Sequence, residues 1–212
     1  MDLSKIKKKL KPQKVEIDRE ERVKAYKATA TKLKECGFLD LNPNVFQSVS
    51  LYIADLCLGE RQKGLFLAGQ TGVGKTLGAE MIGSYENIDK IKGSNRAKLF
   101  RSHSLVAEYQ DTKSKRDFLQ HFKTRETIIL DDLGSEVTVS DYGMKLEVMN
   151  LVITERALAY ENLGARTIVT TNLDKAELIE RYGDRIFSRL CQICVFVDAQ
   201  GDDLREKMKE VS

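Results

Sequence analysis

Residues 69–76 read Gly69-Gln70-Thr71-Gly72-Val73-Gly74-Lys75-Thr76, which fits G-x-x-x-x-G-K-[ST] at every fixed position. Leu65-Phe66-Leu67-Ala68 before it is a short apolar run suited to a buried strand, and Leu77 to Tyr85 after it can continue as a helix. A strand, a glycine loop and a helix start aim consecutive backbone N–H groups at one point, and the helix dipole strengthens their field. Gly69, Gly72 and Gly74 let the backbone wrap an anion closely. Lys75 is placed to reach β- and γ-phosphates, and the Thr76 hydroxyl to bind Mg²⁺. The segment through Leu77 therefore predicts a nucleoside triphosphate site at the edge of an α/β sheet.

The rest of the chain supplies such a sheet. From Gly64 onward, apolar runs at 64–68, 97–101, 127–131, 166–171 and 193–197 read as strands. Helical spacing is expected between them at 75–86, 103–122, 142–161 and 174–190, clearest in Tyr142, Leu146, Met149, Ile153 and Tyr160, with Gly164 as a stop. Alternation of this kind predicts a three-layer α/β sandwich, a five-stranded, mostly parallel sheet covered on both faces. Ahead of it, Asp18 can cap a helix over 19–35 ended by Gly37, with Val23, Tyr26, Ala30 and Leu33 on one face. Asn42-Pro43 marks a turn before an amphipathic helix over 44–58 with Val45, Val49, Tyr52, Ile53 and Leu56 on one side. The chain divides into a basic helical extension, 1–40, and a nucleotide-binding domain, 41–212.

Composition removes several classes. With 42% apolar and 32% charged residues, the chain reads as globular rather than disordered. No apolar run approaches the roughly 18–20 residues of a membrane span, and the N-terminus lacks the apolar core of a signal peptide. Four irregularly spaced cysteines suggest a reducing cytosol rather than a disulfide framework, so a cytoplasmic protein is expected. Cys191-Gln-Ile-Cys194 has the spacing of half a metal site but lies in the apolar run to Val197 and reads better as buried strand. The net charge of +3 is uneven: residues 1–36 hold 12 of the 35 basic and 6 of the 32 acidic residues. Lys5, Lys7, Lys8, Lys9, Lys11 and Lys14 form a basic arm that can contact nucleic acid or an acidic protein surface, or be a solvated terminus.

Three further elements belong with the phosphate loop. Thr127-Ile128-Ile129-Leu130-Asp131-Asp132 is an apolar strand ending in two carboxylates, and strands of such sheets point their carboxyl ends at the ligand crevice. Asp131 is the natural Mg²⁺ partner. Asp132 is then placed to orient or deprotonate an attacking water. Arg166-Thr167-Ile168-Val169-Thr170-Thr171-Asn172 is a second such strand, whose Asn172 can hydrogen-bond a γ-phosphate or the water. Arg181, Arg185 and Arg189 recur every four residues, a helical face suited to phosphates or carboxylates, or to ion pairs with Glu177, Glu180 and Asp184.

These segments, with Ile-Ile-Leu-Asp-Asp-Leu-Gly-Ser-Glu, Ile-Val-Thr-Thr-Asn-Leu and Tyr-Gly-Asp-Arg-Ile-Phe-Ser-Arg-Leu, resemble successive motifs of the DnaC/DnaI-type helicase loaders. They are equally similar to the IstB transposition ATPases, both within the AAA+ class, over about residues 44–205. The resemblance implies an ATPase with ATP and Mg²⁺, Walker A at Gly74, Lys75 and Thr76, and Walker B at Asp131 and Asp132. It implies a sensor-1 role for Asn172, an arginine finger at Arg189 acting on an adjacent subunit, and a sensor-2 arginine at Arg205 within a minimal C-terminal lid. It also implies an ATP-dependent homo-oligomer, a DnaB-type replicative helicase as partner, and single-stranded DNA contacted near Arg101 and His103. The N-terminal part departs from the family in lacking cysteines arranged as a zinc module, leaving helix 19–35 and the basic arm to grip a partner. Loading of a replicative helicase is the leading expectation, with a transposition helper on duplex DNA as the alternative. A small-molecule kinase would need an acceptor-binding lid that the sequence does not show.

Overall fold

The computed structural model describes residues 18–35, 42–59, 63–89, 97–136, 139–141, 144–146, 148–199 and 201. The order is α1 (Arg19–Glu35), α2 (Pro43–Cys57), β1 (Gly64–Ala68), α3 (Lys75–Asp89), β2 (Lys98–Arg101), α4 (Ser102–Asp111) and α5 (Lys115–Thr124). Then come β3 (Thr127–Leu133), β4 (Val139–Asp141), β5 (Met144–Leu146), α6 (Val148–Leu163), β6 (Arg166–Thr171), α7 (Lys175–Tyr182), α8 (Asp184–Ile193) and β7 (Cys194–Asp198).

Five strands form one sheet in the order β2-β3-β6-β1-β7, and every neighbouring pair is parallel. Strand alternation splits the core. Leu65, Leu67, Ile129 and Ile168 face α2 and α3, whereas Phe66, Ile128, Leu130 and Val169 face α4 to α8. This is the expected three-layer sandwich, with the strands wholly rather than mostly parallel. All five carboxyl ends lie on one edge, which is where the crevice of an open parallel sheet forms.

Buried Arg156 of α6, 0% exposed, braces the opposite edge. Its guanidinium donates to the carbonyls of Phe122 (2.7 Å), Arg125 (2.7 Å), Glu126 (3.3 Å) and Arg166 (2.6 Å), and to Thr167 Oγ1 (3.0 Å). It thereby ties the loop entering β3 to the start of β6. Burial pushes its pKa down to about 10, still far above neutrality, so the group stays charged.

Several expected elements are corrected. The helix over 103–122 breaks at Thr112–Ser114, because the Ser114 hydroxyl accepts from the Asp117 N–H (3.2 Å) and starts α5 afresh. The helix over 142–161 begins only at Val148; before it, β4 and β5 form a separate antiparallel hairpin containing Leu146. The helix over 174–190 is two helices, divided at Gly183 with φ 81°. Arg181 therefore lies on α7 and Arg185 and Arg189 on α8, and the three share no single helical face. Asp174 opens α7 with a capping box whose partner is Glu177.

At the N-terminal end, Asn42 caps α2 by accepting from Asn44 and Val45 N–H groups, with Pro43 in the first turn. Helix α1 lies on α2 through half-buried Tyr26, Ala30 and Leu33, while Val23 faces solvent instead of joining that face. The Arg22 guanidinium makes a two-pronged ion pair with buried Asp55 of α2. Gly37 and the basic arm fall outside the described residues. Cys191 is exposed on α8, so only Cys194 joins a strand, where its thiol donates to the Thr167 carbonyl (3.3 Å). Among the described residues no three or more His, Cys, Asp or Glu side chains gather into a metal cluster, and no helix is long and apolar enough to cross a membrane.

Candidate functional site

The loop after β1 has the shape its sequence calls for. Gly69, Gly72 and Gly74 adopt φ of 153°, 87° and 87°, which L side chains rarely adopt. A Cβ on Gly69 would fall 2.3 Å from the Ala199 carbonyl, so the strand-end crossing itself demands glycine. Fully buried Val73 pins the loop to the core, and the Gly74 carbonyl accepts from the Gly78 N–H (2.9 Å) as α3 begins. Gln70, Thr71, Thr76 and Leu77 lie exposed around the rim.

The polar side chains converge here. Lys75 Nζ, only 7% exposed as a residue, donates to the carbonyls of Gly69 (2.8 Å) and Gln70 (2.6 Å) and to Asn172 Oδ1 (2.9 Å). Asn172 Nδ2 in turn donates to Asp132 Oδ1 (3.2 Å). Beside this chain of bonds, the Thr76 hydroxyl donates to Asp131 Oδ1 (2.8 Å). Lys75, Thr76, Asp131, Asp132 and Asn172, from three separate stretches of sequence, thus form one connected group.

Two adjacent strand residues ordinarily point to opposite faces. Asp131 and Asp132 escape that rule through a bulge between Leu130 and Leu133, where Asp132 takes φ 58°. A non-glycine residue there costs about 1–3 kcal/mol and persists only when its surroundings hold it. Thr170, a buried residue of the Thr-Thr-Asn-Leu segment that sequence reasoning assigned no role, does the holding. Its hydroxyl donates to Asp131 Oδ1 (2.7 Å) and accepts from the Asp132 N–H (2.9 Å). Ser102 Oγ adds a bond to the Asp131 carbonyl (3.1 Å).

Thr76 and Asp131 offer two hard oxygen donors, one anionic, in contact beside the phosphate loop, a donor set that fits Mg²⁺. A cleft of about 940 Å³ opens from the loop toward β7, lined by Gly69, Gln70, Asn172, Lys175, Phe187 and Phe196 among others. Its size and mixed lining suit an organic ligand with a polar end, and the sequence had not indicated it.

Arg189 lies apart from this group: its Nη1 donates to the Thr154 carbonyl on α6 (3.3 Å). Arg205 falls outside the described residues. Arg101 and His103 are exposed at the tip of β2 and the start of α4, and Arg101 pairs in register with Asp131.

Together these features define a P-loop domain of the AAA+ fold, with its phosphate loop and acidic strand end assembled. Comparison with solved structures gives the same fold. The DnaC helicase loader is similar with a TM-score of 0.55 at 24% identity, covering 73% of this chain and 88% of that one. DnaI is similar at 0.63 and 20% identity, covering 90% and 95%. The replication initiator DnaA bound to AMPPCP and single-stranded DNA is similar at 0.56 and 17%, covering 76% of this chain and half of that one. No protein-family model and no curated protein matches the chain.

Proposed function

We propose that this chain is an ATPase that loads a DnaB-type replicative helicase onto DNA. The observation that carries the ATPase reading is the linked group Lys75–Asn172–Asp132 with Thr76–Asp131 beside it. The helicase role is supported by the combination of Asp-Asp-Leu-Gly with a later Thr-Thr-Asn-Leu, and by the likeness in fold to two helicase loaders.

In this reading the N–H groups of residues 69–77 bind the phosphates, and Lys75 exchanges its loop carbonyls for β- and γ-phosphate oxygens. Thr76 and Asp131 would hold Mg²⁺, which when bound would supply neutralising positive charge to the phosphates. Asn172 orients the attacking water and Asp132 takes its proton as the water oxygen bonds to the γ-phosphorus and the bond to the β,γ-bridging oxygen breaks. Arg189 acts on the site of a neighbouring subunit in an ATP-dependent homo-oligomer, and Arg205 completes the nucleotide contacts from a short C-terminal lid. Residues 1–40 form the extension that grips the helicase, residues 41–212 form the ATPase domain, and Arg101 and His103 contact single-stranded DNA. The protein works in the cytoplasm.

The test is ATP turnover with and without the host replicative helicase and single-stranded DNA, beside a direct helicase-binding assay. Helicase binding with DNA-responsive turnover is expected. Absence of helicase contact, with ATP-dependent assembly on duplex DNA, would replace the loading role by that of a transposition helper.

A further inference from the structure

Glu136 has no role in the chemistry above, yet it is among the best-held carboxylates in the molecule. It is 3% exposed, four residues beyond Asp132. Its Oε2 accepts from the Gly134 N–H (3.0 Å), and its Oε1 accepts from the Tyr182 hydroxyl. Arg181 donates to its main-chain carbonyl, with Nη2 also 3.5 Å from Oε1. Burial first, and the Glu136 charge second, push the Tyr182 hydroxyl above the ordinary tyrosine range, so it remains a donor. One acidic side chain thus ties the turn that leaves the catalytic strand to the last two residues of α7.

Each end of that tie has something to move. At the strand end, Ser135 N–H bonds the Asp132 carbonyl (3.1 Å), and Leu173 packs so close to Gly134 that a Cβ there would meet it at 2.6 Å. The turn 132–136 therefore hangs on Asp132 and rests on Leu173, the residue after Asn172; Asp132 and Asn172 are the two groups that face the γ-phosphate in the reading above. At the other end, Gly183 is the single residue between α7 and α8, with φ 81° and open space where a Cβ would project. Arg189 stands six residues further on, held to α6 by one 3.3 Å hydrogen bond.

Resting on the ATPase reading, we infer that Glu136 is a positioning residue: it carries occupancy of the nucleotide site to the α7–α8 corner and so sets where Arg189 stands. Without nucleotide, Lys75, Asn172 and Asp132 close on one another. Phosphates that take Lys75 away release Asn172 and Asp132 to realign, the turn follows, and Glu136 pulls on Arg181 and Tyr182. The corner then swings about Gly183. Buried polar groups with few alternative partners suit this task, because they shift between discrete arrangements rather than deform continuously.

Hydrogen exchange on the full chain, with and without AMPPCP and Mg²⁺, tests this in wild type, Glu136→Gln and the milder Tyr182→Phe. Wild type should show protection over 69–77 and a change in exchange over 184–193 of about fivefold or more, the lower end of ordinary coupling. Both variants should keep the protection over 69–77 and lose the response over 184–193. A response retained in both variants, or absent from a wild type whose loop is protected, overturns the inference and leaves the nucleotide site standing. No protection over 69–77 in wild type overturns both. A merely structural Glu136 would alter basal exchange but leave the nucleotide-dependent change in place.

Discussion

Arg156→Met removes five donated hydrogen bonds from one dry position while roughly keeping side-chain volume. Bonds from a charged donor contribute about 1.5–3 kcal/mol each, so the gross loss is on the order of 7–15 kcal/mol. Against this, the buried charge is relieved. The fall in pKa from 12.5 to about 10 corresponds to about 3 kcal/mol of desolvation. A net loss of about 4 kcal/mol or more remains, a large part of the ~5–15 kcal/mol that holds a typical domain together. Arg156→Lys offers three donors for five bonds and should lose about 3–6 kcal/mol. For a chain of this length that lowers Tm by roughly 6–24 °C. Urea unfolding followed by circular dichroism measures both variants. The sign of the linkage also matters. A base whose folded pKa is depressed carries a constant cost below that pKa, so the wild-type difference should not vary between pH 6 and 9. Arg156→Met within about 1 kcal/mol of wild type would overturn this role for the guanidinium and show that an apolar replacement compensates fully for the buried charge.

Four further outcomes are expected. Lys75→Ala should abolish ATP binding, whereas Asp132→Asn should bind ATP and stop turnover, as read by equilibrium binding and phosphate release. Thr170→Val keeps shape but removes the bonds to Asp131 and Asp132, and should lower kcat about 10–100-fold with a smaller change in nucleotide affinity. Gly69→Ala drives a methyl against the Ala199 carbonyl and should weaken ATP binding measurably by calorimetry and lower Tm. Burial pushes the Cys194 thiol up, so a thiol reagent at pH 8 should modify exposed Cys57 and Cys191 quickly and Cys194 only on unfolding.

What the sequence disclosed depended on whether local pattern and tertiary role coincided. Leu65 to Thr76, Thr127 to Asp132 and Arg166 to Asn172 were legible because each joins a buried strand to a polar tip at the crevice edge. The hairpin at 139–146 was hidden because Leu146 also continues the helical spacing of Met149 and Ile153. Gly183 sits between Tyr182 and Ile186, both buried, and this hides a helix break inside an apparently continuous apolar face. Thr170 acquires its role only from the bulge that brings it against both acids, and Glu136 finds Tyr182 forty-six residues away. Arg156 looks like any helical arginine until the carbonyls of Phe122, Arg125 and Glu126 ahead of β3 and of Arg166 on β6 close around it. Thr170 and Glu136 stand inside the Thr-Thr-Asn-Leu and Asp-Asp-Leu-Gly-Ser-Glu motifs, but nothing along the chain discloses what either side chain touches, and Arg156 has no local signal at all.

The strand order also dictates when the chain can become complete. β1 pairs with β6 (Phe66 with Val169) and with β7 (Leu65 with Val195), partners made some hundred residues later during synthesis. The bonds that seat the loop, Gly69 N–H to the Thr171 carbonyl (3.2 Å) and Ala199 N–H to the Ala68 carbonyl (2.7 Å), come from those same late strands. A growing chain can pair β2 with β3 early, but its phosphate loop gains the Gly69 bond only with β6, and its frame is complete only once residue 199 has emerged. Contacts this distant make parallel sheets slow to form. On the proposed ATPase reading, ATP would therefore stabilise only the finished fold, by about 2.7 kcal/mol at a hundred times its Kd. A ribosome-bound chain stopped before β7 should gain nothing from it.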